Sequence, residues 1–230
     1  VKGVVDGGSW ATGNSMGTAR YDLAGAGTQT AALAFGGYIG GYSALTESYN
    51  GTNWTEVNDL TTARAYLAGC GTNTAALVFG GSIPPNSALT ETWNGTNWTE
   101  VNDLTTARRF LGGAGTNTAA LAFGGEYTAV PSTTLTELWN GTNWTEVNDL
   151  NTARQKLAGA GATNTAALAF GGSLATPTNT ELWNGTNWTE VNGLNTARSY
   201  LAGCGTSTAA LAFGGVAPAI TAVTETWNGT

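Results

Sequence analysis

Five arginines occupy the same place in a repeated Thr-Ala-Arg triplet: Arg20, Arg64, Arg108, Arg154 and Arg198. They recur with the glutamates Glu47, Glu91, Glu137, Glu181 and Glu225, and with a second acidic set at Glu56, Glu100, Glu146 and Glu190. A ring of arginines could hold an anion, and paired carboxylates could do acid–base work. The repetition argues against both. Catalysis needs one asymmetric arrangement, whereas a charge present in every unit is expected to form a structural pair that holds adjacent units together. The chain has no histidine, so it lacks the usual general base and the commonest metal ligand. Cys70 and Cys204 take a slot that other units fill with Ala26, Ala114 and Ala160, and they read as small buried thiols. Neither a Cys-x-x-Cys spacing nor a dense carboxylate loop is present, and Asp59, Asp103 and Asp149 read as turn residues. The expectation is therefore no catalytic residue, no metal site and no cofactor.

Binding chemistry is carried by residues that differ between units. The pair after each Thr-Ala-Arg reads Tyr21-Asp22, Ala65-Tyr66, Arg109-Phe110, Gln155-Lys156 and Ser199-Tyr200. The loops after each Phe-Gly-Gly also differ, and the first and third contribute Tyr38, Tyr42 and Tyr127. The candidate ligand-binding set is Tyr21, Tyr66, Arg109, Phe110, Lys156, Tyr200, Tyr38, Tyr42 and Tyr127. Aromatic and arginine side chains dominate binding hot spots, and a tyrosine ring can stack on a sugar face. Loops also drift because they tolerate change, so variability has a bland cause as well.

These residues are positioned by an internal repeat. The triplet arginines lie 44, 44, 46 and 44 residues apart. Phe-Gly-Gly recurs from Phe35, Phe79, Phe123, Phe170 and Phe213, and a tryptophan recurs at Trp10, Trp54, Trp98, Trp144 and Trp188. A further aromatic stands at Tyr49, Trp93, Trp139, Trp183 and Trp227. Each unit reads as four short strands. The first is rich in Gly and Ala, as an innermost strand near a common axis requires. The second ends on the glycine pair. The third and fourth form a hairpin around Asn-Gly, as at Asn94-Gly95. The Asn-x-Ser/Thr sequons recur because that turn recurs, and the tryptophans read as the core between sheets. Four strands per unit at this period predict an all-β, five-bladed propeller with four antiparallel strands per blade. One domain covers residues 1–230, with repeats at about 10–53, 54–97, 98–143, 144–187 and 188–230. The last unit stops after its third strand, and Ser9-Trp10 matches a fourth. The N-terminal strand is thus expected to join the last blade and close the ring. In a four-stranded meander the near-invariant a–b and c–d turns share one face. The variable b–c and d–a connections share the other.

The unit resembles a kelch repeat. Phe-Gly-Gly matches that family's double glycine at the end of the second strand. Trp93 and Trp98, separated by Asn-Gly-Thr-Asn, match the aromatic pair that flanks its c–d turn. The Leu-Thr-Thr-Ala-Arg string stands where kelch units carry a basic residue before the next inner strand. The likeness spans essentially the whole chain. It departs in lacking the histidine common after the arginine, and in counting five blades where six or seven are usual. Strings such as Thr-Glu-Leu-Trp-Asn-Gly-Thr-Asn-Trp are similar to kelch-like proteins predicted in bacteriophages and environmental bacteria. That likeness implies a virion or cell-surface setting. Copper oxidases share the kelch architecture, but their metal needs histidine ligands, so that activity is excluded.

Composition narrows the partners. Hydrophobic residues make up 41% and charged residues 10%, the reverse of a disordered chain. A net charge of −7 with no basic cluster disfavours nucleic acid. No apolar run is long enough to span a membrane. A protein or glycan surface, or neighbouring subunits of a virion or surface assembly, remain as expected partners. The two function classes left are a binding module and a purely architectural subunit.

Overall fold

The computed structural model describes residues 11–128, 130–173 and 178–230. The chain is a five-bladed β-propeller in which small antiparallel sheets surround a common axis. Blade 1 comprises Ala24–Thr28, Ala31–Phe35, Thr46–Tyr49 and Trp54–Val57. Blade 2 comprises Ala68–Gly71, Ala76–Phe79, Thr90–Trp93 and Trp98–Val101. Blade 3 is built from Gly112–Thr116, Ala119–Phe123, Thr136–Trp139 and Trp144–Glu146. Blade 4 is built from Ala158–Thr163, Ala166–Phe170, Thr180–Trp183 and Trp188–Val191. Blade 5 has Ala202–Gly205, Ala210–Phe213 and Thr224–Trp227 among the described residues. We label the strands a to d from the axis outward. The expected clasp by Ser9-Trp10 lies outside the described residues. So does Trp10 itself.

The a strands are small because the blades converge on them. A Cβ at Gly69 would come within 2.5 Å of the Phe35 ring of the preceding blade, so only glycine fits there. The c–d turn needs glycine for a different reason. Gly95 sits at φ 93°, while Asn94 caps the turn by accepting from the amides of Thr96 and Asn97 at 2.9 and 2.8 Å. The asparagine therefore acts through its side chain and does not take up positive φ itself.

The core lies between blades. Trp98 of blade 2 stands edge-on to Phe35 of blade 1 at 5.0 Å and donates its indole N–H to the Thr46 hydroxyl at 3.1 Å. Trp144 and Trp188 repeat this at the next two boundaries, on Phe79 with Thr90 and on Phe123 with Thr136. Burying each indole is worth about 4–6 kcal/mol from area alone. The c-strand residues Trp93, Trp139 and Trp183 are also buried, whereas Trp54 and Trp227 are half-buried.

The arginine–glutamate pairs are structural, but they act within a blade. Arg64 Nη2 meets Glu91 Oε1 at 2.8 Å, and Arg108–Glu137, Arg154–Glu181 and Arg198–Glu225 each close at 2.9 Å. Arg20 and Glu47 are 3.4 Å apart. The stitch to the preceding blade comes from the arginine backbone. The Arg64 amide donates to Ser43 O, and its carbonyl accepts from Gly37 N at 2.9 Å. The second acidic set is exposed in the d strands. Glu100 stands opposite Glu91, a like-charge pair that Arg64 offsets. Asp59, Asp103 and Asp149 cap the first c-strand amide, as Asp103 does for Thr90 N at 3.0 Å.

One boundary differs. Carbonyls of Arg64, Arg108, Arg154 and Arg198 accept from glycine amides of the preceding blade, sealing the four boundaries from blade 1 to blade 5. Among the described residues no such bond joins Gly215 to Arg20. The inner strand of blade 5 is correspondingly open, and this corrects one expectation. Cys70 is buried and donates to Thr116 O of blade 3, whereas Cys204 is exposed and, among the described residues, has no corresponding bond to blade 1. Both thiols are free.

Candidate functional site

The pair after each arginine enters the face where the variable loops gather. Its first member bridges to the start of the b–c loop: Tyr21 to Tyr38, Ala65 to Ser82, Arg109 to Glu126, Gln155 to Ser173 and Ser199 to Val216. Its second member holds left-handed backbone without being glycine. Asp22, Tyr66, Phe110, Lys156 and Tyr200 lie at φ 55°, 59°, 56°, 58° and 54°. Such residues cost about 1–3 kcal/mol each unless the surroundings impose the conformation. Here hydrogen bonds between blades impose it. Tyr66 N donates to Asp22 O at 2.9 Å, Phe110 N to Tyr66 O at 3.0 Å, Lys156 N to Phe110 O at 2.8 Å, and Tyr200 N to Lys156 O at 3.0 Å.

This arrangement turns five side chains of four kinds onto the axis. Together with Leu23, Leu67, Leu111, Leu157 and Leu201 they line one axial hollow of about 380 Å³, open to solvent. Tyr66 and Phe110 lie 4.4 Å apart, and Tyr200 meets Phe110 edge-on at 5.9 Å. The Lys156 ammonium stands 4.7 Å from the Tyr200 ring centre and 5.2 Å from that of Phe110. The Arg109 guanidinium lies 5.1 Å from the Phe110 ring centre and 5.8 Å from that of Tyr66. Arg109 is braced by Glu126 at 2.6 Å.

The charge distribution singles out this mouth. Of the eight basic residues, five are taken up in the buried pairs and Lys2 lies outside the described residues. The remaining two, Arg109 and Lys156, both stand here. Burial pushes the Asp22 carboxyl above its ordinary range, and a hydrogen bond from the Tyr66 side chain partly reverses this. Burial, followed by the neighbouring Asp22 charge, pushes the Tyr66 hydroxyl up, so the ring stays neutral. The mouth thus offers flat apolar faces with Lys156 and Asp22 in an asymmetric ring, and the Arg109–Glu126 pair beside it.

Tyr66, Arg109, Phe110, Lys156 and Tyr200 are therefore brought together. The other candidates are not. Tyr21, Tyr38 and Tyr42 form a separate cluster on blade 1, with ring centres 5.4 and 5.6 Å apart, and Tyr42 is hydrogen-bonded to Ser82 of blade 2 at 3.1 Å. Tyr127 lines a third hollow with Pro85, Asn86, Arg109 and Glu126. Asp22 and Glu126 are the members that sequence reasoning missed. Asp22 could have been found, because it fills the same repeat slot as Tyr66. Glu126 could not, because its role depends on the bridge to Arg109.

Among the described residues no three His, Cys, Asp or Glu side chains converge as metal ligands, and no helix is long and apolar enough to cross a membrane. No protein-family model matches the chain, and no curated protein matches it.

Proposed function

We propose that this chain is a binding module without catalysis of its own, which holds a protein or glycan surface against its variable-loop face. The observation that carries the reading is the axial mouth. Symmetric blades there present four kinds of side chain at five equivalent positions, with Lys156 and the Glu126-braced Arg109 against aromatic rings. Cations over aromatics beside exposed ring faces suit a partner that presents a flat surface. The kelch resemblance, and the virion or cell-surface setting it implies, are part of this proposal.

A broad glycan array, backed by pull-down from surface extracts, tests it. The expected result is a ligand whose binding falls at least tenfold on Tyr66→Ala with Tyr200→Ala, while circular dichroism stays unchanged. An unaltered signal in that double variant overturns the assignment of the mouth.

A second reading, an architectural subunit with no soluble ligand, is favoured by one feature. Tyr21, Ile39, Ile220 and Val223, on the d–a and b–c connections, are 58%, 50%, 92% and 38% exposed. Exposed apolar side chains pack well against neighbouring copies. Absence of array hits together with ordered self-assembly selects this reading.

A further inference from the structure

The charges that face the axis balance. Lys156 and Asp22 both line the hollow, and Arg109 beside it is neutralised by Glu126 at 2.6 Å. Among the described residues neither Lys156 nor Asp22 belongs to an ion pair. The relay of amide bonds passes from Asp22 through Tyr66 and Phe110 to Lys156, so the two charges stand on blades 1 and 4, which do not adjoin. A cationic ligand finds the rings already taken, by Lys156 at Tyr200 and Phe110 and by Arg109 at Phe110 and Tyr66. An anionic ligand gains Lys156 but meets Asp22 and Glu126, on a chain of net charge −7. A hydroxyl both donates and accepts. An uncharged polyol therefore satisfies an ammonium, which only donates, and a carboxylate, which only accepts.

The rings narrow the shape. Phe110 is inclined at 46° to Tyr66 and at 89° to Tyr200. Such planes form a cup, not the parallel slot that would sandwich a planar heteroaromatic. Tyr200, 48% exposed, is the most open ring of the mouth. Its negative face attracts the slightly positive C–H bonds of a saturated ring. At about 380 Å³ the hollow falls within the range of small-ligand sites, about 300–1,000 Å³. We propose that the axial mouth takes an uncharged pyranose, with a C–H face on Tyr200 and hydroxyls shared between Lys156 and the Asp22–Tyr66 pair. This rests on the mouth being the binding surface, and adds the class and the neutrality of what enters it.

Saturation-transfer NMR on the full chain tests it. The probes are the methyl glycosides of glucose, galactose and mannose, each beside its uronate and 2-amino counterpart. At least one neutral glycoside should bind saturably, about fivefold or more tighter than either charged counterpart. Tyr200→Ala should weaken it about tenfold or more. Asp22→Asn should move the preference towards the uronate, and Lys156→Met towards the amino sugar, two opposite shifts that a damaged fold does not produce. A trisaccharide ending in the preferred sugar marks a glycan terminus as the source if it binds as tightly, and the free sugar if it is excluded. A charged sugar that binds the parent as well as the neutral one overturns the proposal, and so does the lack of saturable binding by any sugar. Capture of a protein that the Tyr66→Ala, Tyr200→Ala double variant no longer holds would then keep the mouth as the binding surface, and no such capture would remove that reading as well.

Discussion

The Tyr66 amide donates to the Asp22 carbonyl at 2.9 Å across the first blade boundary, and both residues hold left-handed backbone. The same link repeats from Tyr66 to Phe110, Lys156 and Tyr200, so one strained conformation per blade both ties the blades together and points a side chain at the axis. Scaffold and site share the same backbone there. The side chain remains free to vary because the amide and carbonyl make the structural bonds.

Tyr66→Gly and Tyr66→Ala should therefore part company. Both remove the ring, but glycine adopts positive φ freely and alanine does not. The glycine variant should be more stable than the alanine variant by about 1 kcal/mol. Thermal melting compares them, and equal midpoints would show that the conformation carries no strain.

Removing one partner of a buried pair should be costly, unevenly around the ring. Arg108 and Glu137 are fully buried, so Arg108→Ala should cost about 3–5 kcal/mol, or prevent folding. Arg108→Met with Glu137→Leu should recover much of that loss. Glu225 is partly exposed, so Arg198→Ala should cost less than Arg108→Ala. Urea unfolding midpoints measure all three.

Acid should weaken blade 5 through Glu225. Burial pushes this carboxyl up, but bonds from the amide and side chain of Asn195, the amide of Thr196 and the charge of Arg198 together hold it below its ordinary value of 4.5. A depressed folded value means stability that is fully present above about pH 4.5 and is lost as pH falls through the lower folded value. Glu225→Gln should be less stable than the parent at pH 7, and the gap should narrow towards pH 3. A gap that stays constant across that range would remove Glu225 from the acid response.

The two thiols should differ in reactivity. Burial pushes Cys70 up to about 12, so it is inert in the native protein. Cys204 is exposed, though partial burial raises its value as well. Iodoacetamide under native conditions should label Cys204 slowly and leave Cys70 untouched, with both labelled after denaturation. Mass spectrometry of the two peptides gives the answer.

Repetition made the architecture legible in the sequence. Phe-Gly-Gly, the paired aromatics and the Thr-Ala-Arg triplet each mark a place where local geometry leaves one option: glycine where a ring or positive φ excludes a Cβ, and an indole where two sheets must be spaced. Repeats also separated what is common from what varies, and so pointed to the face that holds Tyr66, Phe110, Lys156 and Tyr200. The sequence alone could not say which variable residues meet. Tyr21 stands first and Tyr66 second after its arginine, and nothing in the sequence says what that one-residue difference does: the bridge of Tyr21 to Tyr38 turns it outward, while the left-handed turn aims Tyr66 at the axis. Nor could it distinguish Cys70 from Cys204, since their surroundings in the chain are nearly identical. Exposure belongs to the neighbouring blade, which is remote in sequence, and only the packing of one blade on the next decides it.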